Sequence, residues 1–555
     1  MWRKFMRYAL LICLLIATSS GNAYSRNTTK AQKDKTPKLT IVIIIDQFAY
    51  NYLYKLRPFL TGGIHYLLKH GTVYENAHYP YALPETAPGH TSLQTGTLPK
   101  DHGIIANEWY EKNKLIKCDD DESAKGHVFG QEHNAIGKSP KNIMVDGLSD
   151  QFMLQNQPDF SHNAISLSLK SRAAICTAGS LGKAIWFDTK TGQFTSSKAY
   201  FDSLASWVTL HNQTTQTIIA QGCTWEKAYP NNPRAYNFHD ISNYTFADDP
   251  QTLIGTKIAV NQDAADSYSP FERTPCANQL LINLAKECIN HYCTKKSNTL
   301  LWLSLSSLDL LAHRVGPYAM DAIDMLYHID QQLKNFINHA IHAVGKQNIL
   351  FVLTSDHGVV PIQGILQEHK LEHVHRYKAQ ELIENLNASV EESDTNPLVI
   401  GYSAPGLYFD TQVYNKLDSV AKSENIQVLK NQLLSMPGIK NVWTQQELKS
   451  SCFDATHELE SYYKNQLYPG RSGQLIIQPQ PYCLISSHRT GTTHETPFNY
   501  DTHVPLVVYQ PGRTTHTKIV QKVYMTQVAN TLAQLLNTPK PSASTADVLP
   551  GIFNK

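Results

Sequence analysis

Four runs of aliphatic and β-branched residues, at 39–45, 299–305, 348–354 and 504–509, set the strongest constraint on what this chain can fold into. None of them alternates polar with apolar. A strand that is apolar at every position has no face to offer to water, so each run has to be covered on both sides, as strands of a parallel sheet between helix layers are. Helical patterns separate the runs. Over residues 319–344, Ile323, Leu326, Ile329, Leu333, Phe336 or Ile337, and Ala340 fall on one stripe. Strands alternating with helices predict an α/β fold with a central, mostly parallel sheet flanked by helices. The runs lie far apart, so long insertions have to rise from the same core. The mixed, turn-rich stretches at about 108–298 and 365–488 are read as these inserted cap regions.

The residues at the C-terminal end of each run narrow the chemistry. Residues 39–45 lead into Asp46, 299–305 into Ser-Ser-Leu-Asp309-Leu-Leu-Ala-His313, and 348–354 into Ser355-Asp356-His357-Gly358. Ligands of open α/β sheets gather beyond the carboxyl ends of the strands. A single Asp at a strand end is commonly a turn former or helix cap. Three strands delivering Asp, Asp/His and Asp/His to one edge predict a metal site. Asp309 and His313, four apart, share a helix face. Carboxylate with imidazole suits zinc, and a pair of metals can clamp the attacking and leaving oxygens of a phosphoryl transfer.

Composition excludes several other classes. The 555 residues are 42% hydrophobic and 17% charged, enough to bury a large core. Lys+Arg (49) and Asp+Glu (47) nearly balance, so charge gives no sign of nucleic-acid binding and none of an acidic disordered chain. The N-terminus has Arg3, Lys4 and Arg7, then a ten-residue apolar run at 8–17, then Gly21 and Ala23 ahead of a cleavage point. This reads as a signal peptide over 1–23, since a membrane span needs roughly 20 apolar residues. A polar, flexible leader over 24–38 comes next. The mature protein is expected to be exported, periplasmic or secreted, and free of the membrane. Loss of Cys13 with the signal leaves eight cysteines, which permit up to four disulfides, Cys288 with Cys293 among the possible pairs.

Between the first strand and the first insertion stands Leu83-Pro-Glu-Thr86-Ala-Pro-Gly-His-Thr-Ser, with Asn107 lying 21 residues after Thr86. Together with Ile44-Ile-Asp46-Gln, this resembles the alkaline phosphatase superfamily, in the type I phosphodiesterase/nucleotide pyrophosphatase branch. It is more closely similar to the bacterial phosphate-insensitive (PafA-like) alkaline phosphatases, exported monoesterases with a threonine nucleophile. The motifs run in order from about Lys38 to the C-terminus, which implies an alkaline-phosphatase-like catalytic domain over 39–555.

The resemblance implies that Thr86 is the nucleophile and that two zinc ions are bound. It places one zinc on Asp46, Thr86, Asp356 and His357, and the other on Asp309, His313 and His494. The last is the histidine of Gly491-Thr-Thr-His494, ahead of Tyr500-Asp501-Thr-His503-Val-Pro, where His503 is read as structural. Asn107 matches an amide that hydrogen-bonds a phosphoryl oxygen. Ser166-Leu-Ser-Leu-Lys170-Ser-Arg172 resembles the Lys-x-Arg element of the monoesterases, and on a strand-like run the two cations would point the same way. Ser171 stands where the family commonly has Asp, Pro84 where a Thr often precedes the nucleophile by two, and Pro88 is closer to the diesterase motif.

The expected function is therefore a two-zinc alkaline phosphatase acting on small phosphate monoesters through a phosphothreonine intermediate. The alternatives are a nucleotide pyrophosphatase/phosphodiesterase, with Lys170 and Arg172 as bystanders, and a non-catalytic phosphate-binding protein on the same scaffold. No Cys/Ser-x-Pro-x-Arg is present, which disfavours a sulfatase.

Overall fold

All seven residues of the strand Leu39–Ile45 (β1) are buried, and its six aliphatic residues divide between two cores. Leu39, Ile41, Ile43 and Ile45 pack on one face of the sheet with Leu301, Leu303, Phe351 and Leu353. Val42 and Ile44 pack on the other with Leu300, Trp302, Leu350 and Val352. The missing polar alternation thus has the expected cause, since alternate side chains enter different apolar layers. The computed structural model describes residues 36–131, 136–236, 252–258, 267–368, 370–371, 373–390, 397–488 and 490–553. The signal segment 1–23 and the leader up to residue 35 lie outside the described residues.

The main sheet has ten strands. After β1 come Thr72–His78 (β2), Ser161–Ser168 (β3), Lys183–Asp188 (β4), Gln193–Thr195 (β5), Ser297–Leu305 (β6), Ile349–Thr354 (β7), His503–Tyr509 (β8), Thr517–Ile519 (β9) and Val523–Tyr524 (β10). Their order is β9-β2-β8-β7-β1-β6-β3-β4-β5, with β10 also on β2. β1, β3, β4, β6 and β7 run parallel. β8 is antiparallel to both its neighbours, so the fourth apolar run departs from the parallel expectation. The sheet is mixed but mostly parallel. Ile45 pairs with Leu305 and Ile44 with Thr354, so β1, β6 and β7 end level at one edge.

The helices that matter most are Thr86–Thr95 (α1), Ser171–Ala178 (α2), Pro275–Tyr292 (α3), Ser307–Val315 (α4) and Met320–Val344 (α5). The stripe read from the sequence of α5 is buried in full. The stretch 108–298 differs from its reading as an insertion, because β3 to β5 within it belong to the main sheet. Its strand β3 hides from pattern reading because Ser166 and Ser168 are buried as well. Ser166 Oγ satisfies itself 2.7 Å from Thr177 Oγ1. Among the described residues, the stretch 365–488 gives the main sheet no strand. It builds its own sheet, in the order Val399–Ser403, Gly406–Phe409, Leu475–Pro479, Ile439–Thr444. Leu382, Leu386, Leu429 and Leu433 pack on it.

Of the cysteines, Cys223 and Cys276 form a disulfide that closes a 53-residue separation. Cys288 and Cys293 are not paired. Cys288 lies on α3 and Cys293 is its C-cap; five residues along a helix turn side chains about 140° apart. Replacing Cys223 and Cys276 by serine should lower stability by about 2–4 kcal/mol. The urea midpoint of oxidised wild type against the variant measures it.

Candidate active site

Thr86 is the first residue of α1, 1% exposed, behind an extended N-cap at Glu85. Pro88 is the third residue of the helix, where an N–H would have no intrahelical partner, so the proline fits without cost. Gly89 is required by a close approach: a Cβ there would stand 2.4 Å from the Asp356 carbonyl oxygen. That contact seats α1 against the end of β7. The unusual Pro84 also has a task, because its carbonyl accepts a hydrogen bond from His494 Nδ1 at 3.1 Å.

Asp46 leaves the end of β1, and Asp356 and His357 leave the end of β7. His357 Nε2 lies 3.3 Å from Asp46 Oδ1 and 3.5 Å from Asp356 Oδ2. Asp309 and His313 occupy successive turns of α4, with His313 Nε2 3.1 Å from Asp309 Oδ1. His494 Nε2 completes a second triangle, 3.3 Å from His313 Nε2 and 3.5 Å from Asp309 Oδ1. The His357 and His494 rings stack at 3.5 Å, so the two clusters are contiguous, and His357 also stands within reach of Asp309 and His494. His357 is therefore shared between the two candidate groups.

These residues fit metal. Among the described residues, Asp46 Oδ1, Asp356 Oδ2 and His357 Nε2 are buried with no well-formed hydrogen bond, only contacts of 3.3–3.5 Å to one another and to His90 Nδ1, an expensive state unless a cation takes their lone pairs. The three histidines are also oriented alike. Nδ1–H donates to a backbone carbonyl in each, to Gly358 from His357 (2.9 Å), to Thr492 from His313 (2.8 Å) and to Pro84 from His494. Nε2 is therefore turned to the site in all three, as ligand histidines are set by their outer partners. The carboxylate density is high. Burial alone would lower the pKa of His357, but Asp356 and Asp46 outweigh it and lift it to about 9. Burial, with His357 beside it, pulls His494 down to about 3.

Lys170 and Arg172 are not on a strand. β3 ends at Ser168, Lys170 is the N-cap of α2, and Arg172 is its second residue. The cap geometry sends the Lys170 ammonium to the centre of the site, 2.7 Å from Asp46 Oδ2, against Asp309 Oδ2, and 3.4 Å from Thr86 Oγ1. Burial would discharge it, but the Asp309 and Asp46 carboxylates outweigh burial and hold it charged. Arg172 and Asn107 both line a cleft of about 710 Å3 that also reaches His313 and His494. Asn107 Oδ1 accepts from the Ala87 N–H at 2.9 Å, which leaves the amide NH2 as its group for a ligand. His503 lies elsewhere, donating to the Glu75 carbonyl and stacked on Tyr50 and His78.

Two residues at the site carry no sequence signal of their own. Gln47 holds the left-handed backbone (φ 66°) and spans both clusters, its N–H donating to Asp356 Oδ1 (3.2 Å) and its Nε2 to Asp309 Oδ1 (2.6 Å). His90, one turn beyond Thr86, sets Nδ1 2.7 Å from the Thr86 carbonyl and 3.3 Å from Asp356 Oδ2.

Behind the cationic pair, burial pushes the Glu272 carboxyl up to about 8, against the pull of Lys170, Arg273 and Arg172. A carboxyl with a raised folded pKa contributes stability below its unfolded pKa and loses it as pH rises through the folded value. Glu272→Gln should therefore melt like wild type at pH 5 and above it at pH 9, by differential scanning calorimetry.

Phosphoryl transfer is the chemistry that contiguous metal clusters, a desolvated hydroxyl and adjacent cations suit. This fold and edge place the protein among the hydrolases of the alkaline phosphatase superfamily. The chain belongs to the type I phosphodiesterase/nucleotide pyrophosphatase family, the match covering residues 40–504. It is 27% identical to alkaline phosphatase PafA of Elizabethkingia meningoseptica, over 98% of this chain and 97% of that one. It is 28% identical to alkaline phosphatase PhoV of Synechococcus elongatus, over 97% and 98%. The crystal structure of PafA matches with a TM-score of 0.82 at 26% identity, covering 94% of this chain and 99% of that one.

Proposed function

We propose that this phosphoric monoester hydrolase is an exported alkaline phosphatase that uses two zinc ions and passes through a phosphothreonine. The observation that carries the proposal is the position of Thr86 Oγ1, buried at a helix N-terminus and 3.4 Å from the Lys170 ammonium that bridges both clusters. Asp46, Asp356 and His357, with Thr86 itself, would hold one zinc; Asp309, His313 and His494 would hold the other. Zinc bound there lowers the pKa of a hydroxyl or water and takes up charge on oxygen.

Thr86 gives its hydroxyl proton to water as Oγ bonds to phosphorus and the bond to the ester oxygen breaks in line, and the leaving oxygen takes a proton back from water. A water then attacks the phosphothreonine, freeing phosphate and restoring the hydroxyl. Asn107, Lys170 and Arg172 hold the phosphoryl oxygens. A monoester dianion carries one more negative charge than a diester, so two cations favour it. A solved variant of PafA supports these roles, being substituted at a Thr and an Asn 21 residues apart and at a Lys and an Arg two apart. Thr86, Asn107, Lys170 and Arg172 repeat those spacings. Export rests on the basic and apolar pattern of residues 1–23, and among the described residues no helix is long and apolar enough to cross a membrane. The stretches 108–298 and 365–488 supply much of the cleft wall and would choose the leaving group.

The test is turnover of an aryl phosphate monoester against its methyl diester at mildly alkaline pH, with zinc and then with chelator. Monoester preference is expected, falling to background on chelation and returning with zinc. A diester preference, the reading favoured by the family's own description, would keep Thr86 and the ligands but release Lys170 and Arg172 from their roles.

A further inference from the structure

The structure assigns Arg376 as a positioning residue for the metal subsite of Asp309, His313 and His494, acting through the loop that carries His494. The inference rests on reading those three residues as ligands. Arg376 begins the short strand Arg376–Lys378, which pairs with Leu484–Ser486 within the stretch 365–488. Its guanidinium spreads over the loop beyond that pairing. Nε donates to the His488 carbonyl (3.0 Å), Nη1 to Gly491 (2.9 Å), and Nη2 to Thr490 (2.8 Å) and Ser486 Oγ (3.4 Å).

The clamped segment runs straight into the metal cluster. Gly491 has φ +78°, and a Cβ there would stand 2.2 Å from the His313 carbonyl oxygen, so the loop lies directly on α4. Thr492 then bonds His313 twice, its N–H donating to the His313 carbonyl (2.9 Å) and its own carbonyl accepting from His313 Nδ1 (2.8 Å). Two residues further on is His494. One guanidinium therefore fixes the segment that sets the tautomer of His313 and delivers the Nε2 of His494.

Arg376 also lines the cleft, which invites a substrate-holding role. Four of the five N–H groups of an arginine are already committed here, three of them to backbone carbonyls, so the side chain has little left for a phosphoryl oxygen. Lysine offers its three N–H groups from one nitrogen and has no planar fork, so it cannot span carbonyls that Arg376 meets from three separate nitrogens.

The experiment is zinc uptake by full-length wild type, Arg376→Met and Arg376→Lys, read by competition with a chromophoric chelator. Wild type should hold two zinc ions. Arg376→Met should weaken one of them by about 10- to 100-fold, the usual cost of losing an outer partner, and leave the other alone. Arg376→Lys should fall between. In a His494→Ala background, Arg376→Met should weaken zinc binding by less than it does in wild type, because only the support of His313 is then left to lose. Two zinc ions held at wild-type affinity by Arg376→Met, or equal weakening of both, overturns the clamp alone. Wild type that takes up no zinc overturns the ligand reading and the clamp with it.

Discussion

Thr86→Ala is expected to lower turnover of an aryl phosphate monoester by at least about four orders of magnitude, the scale on which loss of a nucleophile is felt. The change is small in structural terms. Among the described residues Thr86 Oγ1 has one hydrogen-bond partner, Lys170, and alanine is tolerated at the first helical position. The variant should therefore fold and melt like wild type, which separates lost chemistry from lost structure. Thr86→Ser, which keeps the hydroxyl, should retain a measurable fraction. Acid quench of the wild-type reaction with labelled substrate should leave phosphate on a peptide containing residue 86, and no such peptide should appear from Thr86→Ala. Wild-type turnover by the alanine variant would end the phosphothreonine mechanism.

The second large effect concerns charge. Lys170→Ala with Arg172→Ala should lower monoester kcat/KM by about 100- to 10,000-fold, two charge-assisted contacts at about 1.5–3 kcal/mol each. Diester kcat/KM should fall less than about tenfold, because a monoanion asks less of two cations. The ratio of the two losses is the informative quantity. Equal losses would mean that Lys170 serves Asp46 and Asp309 rather than the phosphoryl group, a role its observed ion pairs also permit.

Those ion pairs show what kind of information a linear sequence carries. Asp309 and His313 are legible from spacing alone, since i,i+4 geometry is local and α4 delivers it. The ends of β1, β6 and β7 are legible because uninterrupted apolar runs have one structural meaning. His494 has no local signature and is reached only through its motif. The reach of Lys170 into both clusters is not legible, because it depends on the chain leaving β3 two residues earlier and turning at an N-cap. Gln47 and His90 escape for a related reason. Each acts through bonds to residues hundreds of positions away, and no periodicity encodes such a partner. Strand β3 escapes because its buried serines find partners inside the core and look like surface in a linear reading.

The position of β2 has a consequence for when the enzyme can exist. In the sheet, Thr72–His78 bonds only to the strands at 503–509, 517–519 and 523–524, while β1, its predecessor in the chain, is separated from it by β8 and β7. During synthesis this segment has no sheet neighbour until nearly the whole polypeptide is available, and closing so long a loop is slow relative to local pairing. His494 arrives on the connection into that same late strand, β8. His494 and the last wall of the sheet therefore dock together, so a nascent chain that already contains Thr86, Asp309 and Asp356 still lacks His494 and a sheet partner for β2.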